Sequence, residues 1–227
     1  MYVTANDLEF EAERERLARL GRKVRRRLNA NKKLQRIATD GAEIWAVADF
    51  LDPVECGRLM LMIDETAKPS VTVDYEVEEG FRTSYSGDLF VFDPFVSKIR
   101  ARIDDLVGIN SSFGESVQGQ RYTAGQYFKT HADWFGPKSP AYQAQKAHGG
   151  QRAFTAMAYL NDVPDGGETD FPQLDIAIKP RQGVLLVWNN MLENGMPNPR
   201  TAHAGNPVPS GFKYVITRWF RAQPWIP

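Results

Sequence analysis

The chain is poor in cysteine and histidine, carries no surplus charge of either sign and has no long apolar run, and each scarcity excludes something. A lone Cys56 cannot form an intramolecular disulfide, which excludes a disulfide-framed scaffold and makes a reducing, cytoplasmic setting the expectation. In "VECGRLMLMI" it reads as a small buried hydrophobe. The 28 basic and 28 acidic residues cancel, so any pull on nucleic acid or membrane has to be local. No apolar run approaches the roughly 20 residues that span a bilayer, and "MYVTANDLEFEAERERL" lacks the basic start and apolar stretch of a secretory signal. No membrane partner is expected.

Charge is nevertheless uneven. Residues 7–37 read as a helix, with Leu17, Leu20, Val24 and Leu28 at three- and four-residue steps and no proline. From Leu17 to Ile37 there are nine Lys or Arg and no acid, whereas Glu11, Glu13 and Glu15 crowd the preceding turn, where they suit the helix dipole. The expected organisation is a basic helical arm, residues 1–40, packed through its leucine stripe on a catalytic domain, residues 41–227. Nucleic acid or an acidic partner, if bound at all, would be held by residues 17–37.

"IWAVADFL" then reads as a strand, and "DPVECGRLMLMIDETA" as a helix with Asp52 as N-cap and Pro53 at its first position. A second helix is expected over "PFVSKIRARIDDLVGI". From Gln118 onward, short runs rich in Val, Ile, Thr and aromatics alternate with turns such as "PDGGE", "KPRQG", "NGMPNP" and "VPSG". Helices followed by about eight short strands predict an α+β fold, mainly β: a double-stranded β-helix, or jelly roll, buttressed by N-terminal helices.

In "YFKTHADWF" His131 and Asp133 stand two residues apart. On a strand they would point to the same side. By itself the pair is equally an ordinary polar strand end. Only His148, in the loop "KAHGGQR", and His203, in "RTAHAGNPV", remain as a third ligand. His203 is the better candidate, because a jelly roll brings a late strand beside an early one. Two imidazoles and a carboxylate on one face of an iron(II) ion leave open positions for a co-substrate and O2. Lys213, ten residues after His203, would supply a cation for the far carboxylate of a bidentate 2-oxo acid. The alternative for Lys213 is the solvent face of its strand.

These residues, with "RTSYSGD" (82–88), "ESVQGQRYTAGQYFKTHADWF" (115–135), "GGQRAFTAMAYLNDVPDGGETDFP" (149–172), "KPRQGVLLVW" (179–188) and "HAGNPVPSGFKYVITRWFR" (203–221), give a sequence that resembles the prolyl 4-hydroxylase group of iron(II)- and 2-oxoglutarate-dependent dioxygenases. The resemblance implies that His131, Asp133 and His203 hold iron(II) and that Lys213 pairs with the distal carboxylate of 2-oxoglutarate. It implies that Tyr122 and Thr155 add hydroxyl contacts to that co-substrate, and that Arg152, Trp219 and Glu115 lie near the peptide. The segment around "RTSYSGD" matches a mobile loop that closes over substrate. Two departures stand out. Phe128 occupies a position that often carries a tyrosine near the substrate, and residues 137–148 form a longer loop after the metal pair.

The implied activity is hydroxylation of a peptidyl proline on a protein substrate, with decarboxylation of 2-oxoglutarate to succinate and CO2. O2 is the oxidant, and ascorbate joins the cofactors as a reductant for the iron. Phe128 and the longer loop keep open another residue, a free amino acid or a small metabolite as substrate. From a different class, a non-catalytic module that binds proline-rich peptides also stays open.

Overall fold

The N-terminal apolar stripe does fold as a helix, α1 (Ala5–Ala30), in a computed structural model that describes residues 5–71 and 80–227, and side chains from Phe10. Leu17, Val24 and Leu28 are buried in the same apolar cluster as the helices and strands that follow. The expectation of a helix to residue 37 fails at Asn31. Its side chain accepts the Lys33 N–H at 3.0 Å, a local bond that competes with the helical ladder, and Gln35–Ile37 becomes strand β1. Strand β1 pairs with β2 (Ile44–Val47).

Helix α2 (Pro53–Thr66) begins as its sequence predicts. Asp52 accepts the Glu55 N–H at 2.8 Å, and the Glu55 side chain accepts the Asp52 N–H at 3.2 Å, a complete capping box. Cys56 lies on its buried face, and burial pushes the thiol up to about 11, so it is an inert core group. Strands β3 (Lys68–Pro69) and β4 (Tyr85–Asp88) follow. Within the segment matched to a mobile loop, β4 pairs with residues 118–121 and Arg82 forms a bridge with Phe128; residues 72–79 before it lie outside the described residues. Helix α3 (Pro94–Val107) starts on Asp93 and stops at Gly108, whose φ of 76° is the left-handed cap that glycine adopts without strain.

Eight strands then build the rest: β5 (Gln118–Thr123), β6 (Phe128–His131), β7 (Arg152–Tyr159), β8 (Thr169–Phe171), β9 (Ile176–Ile178), β10 (Leu185–Asn189), β11 (His203–Gly205) and β12 (Phe212–Arg221). A short helix, α4 (Pro140–Gln145), interrupts them between β6 and β7. They form two antiparallel sheets, ordered β1-β2-β10-β7-β12-β5-β4-β3 and β6-β11-β8-β9, the jelly-roll sandwich expected from the pattern of runs and turns.

Strand alternation decides what each face does. On the outer face of the large sheet, Phe154, Ala156, Ala158, Ile216 and Phe220 join a core with α1, α2 and α3. On the inner face, Met157, Tyr159, Leu186, Trp188 and Val215 meet Phe171 of the small sheet. Helix α3 is also fastened by charge. Arg218 Nε and Nη2 donate to the two oxygens of Asp104 at 2.6 and 3.0 Å, a bidentate pair almost wholly out of water.

Candidate metal centre and cavity

The small sheet sets the first contact. His203 opens β11 directly opposite His131, the last residue of β6, and their ring centroids are 4.4 Å apart. Asp133 lies beyond the strand end, so it joins the histidines through the turn after β6 and not by strand alternation. The three ligand atoms all lie within 4.8 Å of one another, with His203 Nε2 3.9 Å from Asp133 Oδ2. His148 stays out of the group: its Nδ1 faces the Ile226 carbonyl at 2.8 Å.

Each ligand is oriented by a partner behind it. His131 Nδ1 lies 2.9 Å from the Lys129 carbonyl and His203 Nδ1 3.0 Å from that of Thr201. Since a carbonyl only accepts, both Nδ1 atoms carry the proton and both Nε2 atoms offer a lone pair, as metal-binding imidazoles require. Thr155 Oγ1 donates to Asp133 Oδ2 at 2.6 Å and accepts from Asn190 Nδ2 at 3.0 Å. Phe128 stacks on His131 at 3.5 Å and 14°, and Trp188 meets His203 edge-on at 4.9 Å.

Burial, reinforced by His203, pulls the His131 imidazole down to about 3, which keeps it uncharged at neutral pH. Burial pushes the Asp133 carboxyl up, but the two imidazoles, Arg152 and the Thr155 hydroxyl outweigh it and hold the group below its ordinary value. Two imidazoles and one carboxylate, already convergent, fit iron(II) in the facial arrangement.

The cluster opens into a cavity of about 720 Å³ between the sheets. Lys213, on the inner face of β12, lines it opposite Tyr122 of β5, its register partner. Lys213 is 3% exposed. Among the described residues it has no ion pair or hydrogen bond. Its ammonium faces the rings of Tyr122 and Tyr159 at 5.1 and 5.8 Å, and burial pulls it down to about 7 against a partial counter-pull from Glu168. Burying a cation is costly unless an anion pairs with it, so Lys213 marks a place fitted to hold a carboxylate. The solvent-facing alternative for Lys213 is thereby excluded. The Tyr122 hydroxyl donates to Gln120 Oε1 at 3.1 Å.

At another part of the wall stand Glu115, Arg152 and Trp219. Arg152 grips Glu115 with two parallel bonds, at 2.6 and 2.8 Å, and its guanidinium lies 4.2 Å from the Trp219 ring centre. Burial pushes Glu115 up, and Arg152 and Arg221 more than reverse it. The Trp219 indole N–H is buried without a partner among the described residues.

The structure therefore brings onto one cavity every residue that the resemblance assigns to the site: His131, Asp133, His203, Lys213, Tyr122, Thr155, and the group of Glu115, Arg152, Trp219 and Phe128. The Thr155 hydroxyl, expected to face the co-substrate, donates its proton to Asp133. Sequence reasoning missed Asn190, which fixes Thr155 from the end of β10, and gave no role to Arg82, whose guanidinium lies 4.7 Å from the Phe128 ring. Asn190 stands in "WNNM", where nothing local distinguishes it from a turn residue.

Comparison with known proteins agrees with this geometry. The model of the 2OG-Fe(II) oxygenase superfamily matches residues 117–221. Prolyl 4-hydroxylase subunit alpha-1 of Gallus gallus is 32% identical over 182 residues, 76% of this chain and 35% of that protein. Prolyl 4-hydroxylase 1 of Arabidopsis thaliana is 31% identical over 193 residues, covering 76% and 66% respectively. The chain thus spans a third of the length of the first relative and just under two thirds of the second.

Among solved structures, the viral collagen prolyl hydroxylase of Paramecium bursaria Chlorella virus-1, in complex with 2OG, has a TM-score of 0.62 at 26% identity, over 82% of this chain and 98% of its own. A Trichoplax adhaerens prolyl hydroxylase bound to a peptide fragment shares the fold over 97% of this chain and 94% of its own, with a TM-score of 0.62 at 16% identity. The convergent triad, the matched family model and these relatives together make the chain similar to the 2OG-Fe(II) oxygenases and, among them, to prolyl 4-hydroxylases.

Proposed function

We propose that this chain hydroxylates a prolyl residue of a peptide or protein, using iron(II), 2-oxoglutarate and O2. The observation that carries the co-substrate is the buried, unpaired Lys213 across one cavity from the His131–Asp133–His203 cluster. His131 and His203 would hold the metal through Nε2 and Asp133 through a carboxylate oxygen. Iron(II) with 2-oxoglutarate supplies the activation of O2 and the insertion of one oxygen into a C–H bond, with succinate and CO2 as by-products.

The chain's own groups have more modest tasks. Lys213 neutralises the distal carboxylate, and the Tyr122 hydroxyl steadies it. Thr155 and Asn190 hold Asp133 in place, and Phe128 fixes the plane of His131 by stacking on it. Trp219 and the Arg152–Glu115 pair offer an aromatic face, an indole donor and a fixed charge pair to a peptide backbone. Ascorbate would act outside this set, restoring iron(II) after unproductive turnover. A reducing cytoplasm is the compartment we propose, in keeping with the single buried thiol.

Two features favour a second reading: Phe128 presents a ring without a hydroxyl to the cavity, and Ala141 of α4 stands in its wall. A free amino acid or small metabolite is then the substrate. To decide, protein purified anaerobically is loaded with iron(II) and offered proline-rich peptides beside free amino acids. Succinate release and a one-oxygen mass gain on a peptidyl proline are expected. Mass gain on free amino acids alone would replace the first reading with the second, and no succinate with any substrate would leave a binding module.

A further inference from the structure

Residues 136–151 leave the metal centre just after Phe135 and return at Arg152, and Gly136, Ser139 and Ala141 form part of the cavity wall. No strand holds this segment; it contains only α4 and a single 3-10 turn. Two elements hold it: α1, and the C-terminal end of the chain, where the Ala222 and Gln223 N–H groups donate to the Gln151 and Gly149 carbonyls. Glu13, 5% exposed, accepts a short hydrogen bond from the Tyr142 hydroxyl on α4 and another from the Gln151 N–H at 3.0 Å. Gln151 then closes on Phe135 in both directions: it accepts the Phe135 N–H at 2.7 Å, and its amide donates to the Phe135 carbonyl at 2.8 Å. Phe135 is two residues from Asp133.

Gly150 shows how tightly this joint is built. Its φ is 71°, and a Cβ there would fall 2.2 Å from Glu13 Oε1. A second anchor comes from β12: Arg221 donates to the Gly150 carbonyl at 2.7 Å and to Gln145 Oε1 at 2.8 Å. The buried Glu13 carboxylate thus makes both of its hydrogen bonds, among the described residues, to one stretch of cavity rim.

We infer that Glu13 is a positioning residue for substrate: through Tyr142 and Gln151 it makes α1 a strut that sets the rim formed by residues 136–151. Among the described residues, His131, His203 and Tyr122 make their hydrogen bonds to groups outside this strut. For the identity of the substrate the inference rests on the function proposed above; the strut itself does not.

The test compares Tyr142→Phe, which removes one hydroxyl, with Glu13→Ala and the conservative Glu13→Gln. For Tyr142→Phe and Glu13→Ala the peptide KM should rise roughly 5- to 20-fold, the size of one buried hydrogen bond lost. The 2-oxoglutarate KM and succinate formation without peptide should stay within about twofold, since no co-substrate contact changes. Hydrogen exchange should quicken in 136–151 and stay unchanged in 203–221. Glu13→Gln should recover much of the loss, because its carbonyl still accepts from Gln151. Unchanged exchange in Tyr142→Phe and Glu13→Ala overturns the inference, as does faster exchange with an unchanged substrate KM. Equal losses in peptide-free turnover also overturn it, since they mark general destabilisation. If the wild type acts only on a free amino acid, the peptide reading falls and the KM comparison is made on that substrate. If it acts on neither, the exchange measurement decides alone.

Discussion

Lys213 concentrates the chemistry at the scale of a single residue. Burial disfavours its charged form, so its pKa falls from 10.5 to about 7. Between those values the unfolded chain keeps a proton that the ligand-free native state has lost, so stability of the ligand-free protein should rise with pH across that window. A bound carboxylate restores the proton. Above pH 7, 2-oxoglutarate binding should therefore take up one proton, and its Kd should rise about tenfold per pH unit. Calorimetric titration at pH 8 in buffers of different ionisation enthalpy reads this directly, and no proton uptake would remove Lys213 as the partner.

Lys213→Met should raise the melting temperature of the ligand-free protein while weakening 2-oxoglutarate binding on the order of 100-fold, with iron(II) binding kept. Thr155→Val tests the other end of the cavity. With its donor gone, Asp133 is less well aimed, and iron(II) affinity in chelator competition should drop roughly 10- to 100-fold. Equal affinity would mean that Asp133 needs no support from Thr155.

At the scale of elements, the capping box on α2 predicts that Asp52→Ala costs about 1 kcal/mol, a fall in melting temperature of roughly 2–4 °C for a chain of this size. Calorimetric melting checks it. That cap was legible in the sequence because every partner lies within three residues. The strand around Lys213 was legible too, but not which of its faces turns inward; there Lys213, Val215 and Thr217 alternate with Tyr214, Ile216 and Arg218. Contacts remote in sequence were not legible. Tyr142 reaches Glu13 across 129 positions and Asn190 reaches Thr155 across 35, and no periodicity encodes such pairs. The end of α1 was misread because a single Asx bond at Asn31 outweighs a continuing polar pattern.

For the whole molecule, the basic stretch divides into engaged and open charge. Arg25 pairs with Glu43 and Glu193, Arg27 with Asp105, and Arg36 lies over the Trp45 ring. Arg22, Lys23, Arg26, Lys32 and Lys33 are exposed and have no ion pair among the described residues. Because Leu17, Val24 and Leu28 belong to the main core, we propose that residues 1–40 serve first as a buttress. Binding of RNA to the full chain should be weak and lost steeply with salt, and a Kd well below micromolar at physiological salt would show a dedicated interface instead. No helix among the described residues is long and apolar enough to cross a membrane.

The two ends of the cavity belong to different sheets. Lys213 and Tyr122 are neighbours in the large sheet, while His131 and His203 face each other in the small one. A 2-oxo diacid held at both ends would be a rung between the two layers of the sandwich, made of ligand instead of chain. Under the proposed reaction each turnover would shorten that rung by one carbon dioxide, while Phe171 packed against Trp188 and Val215 keeps the layers in place.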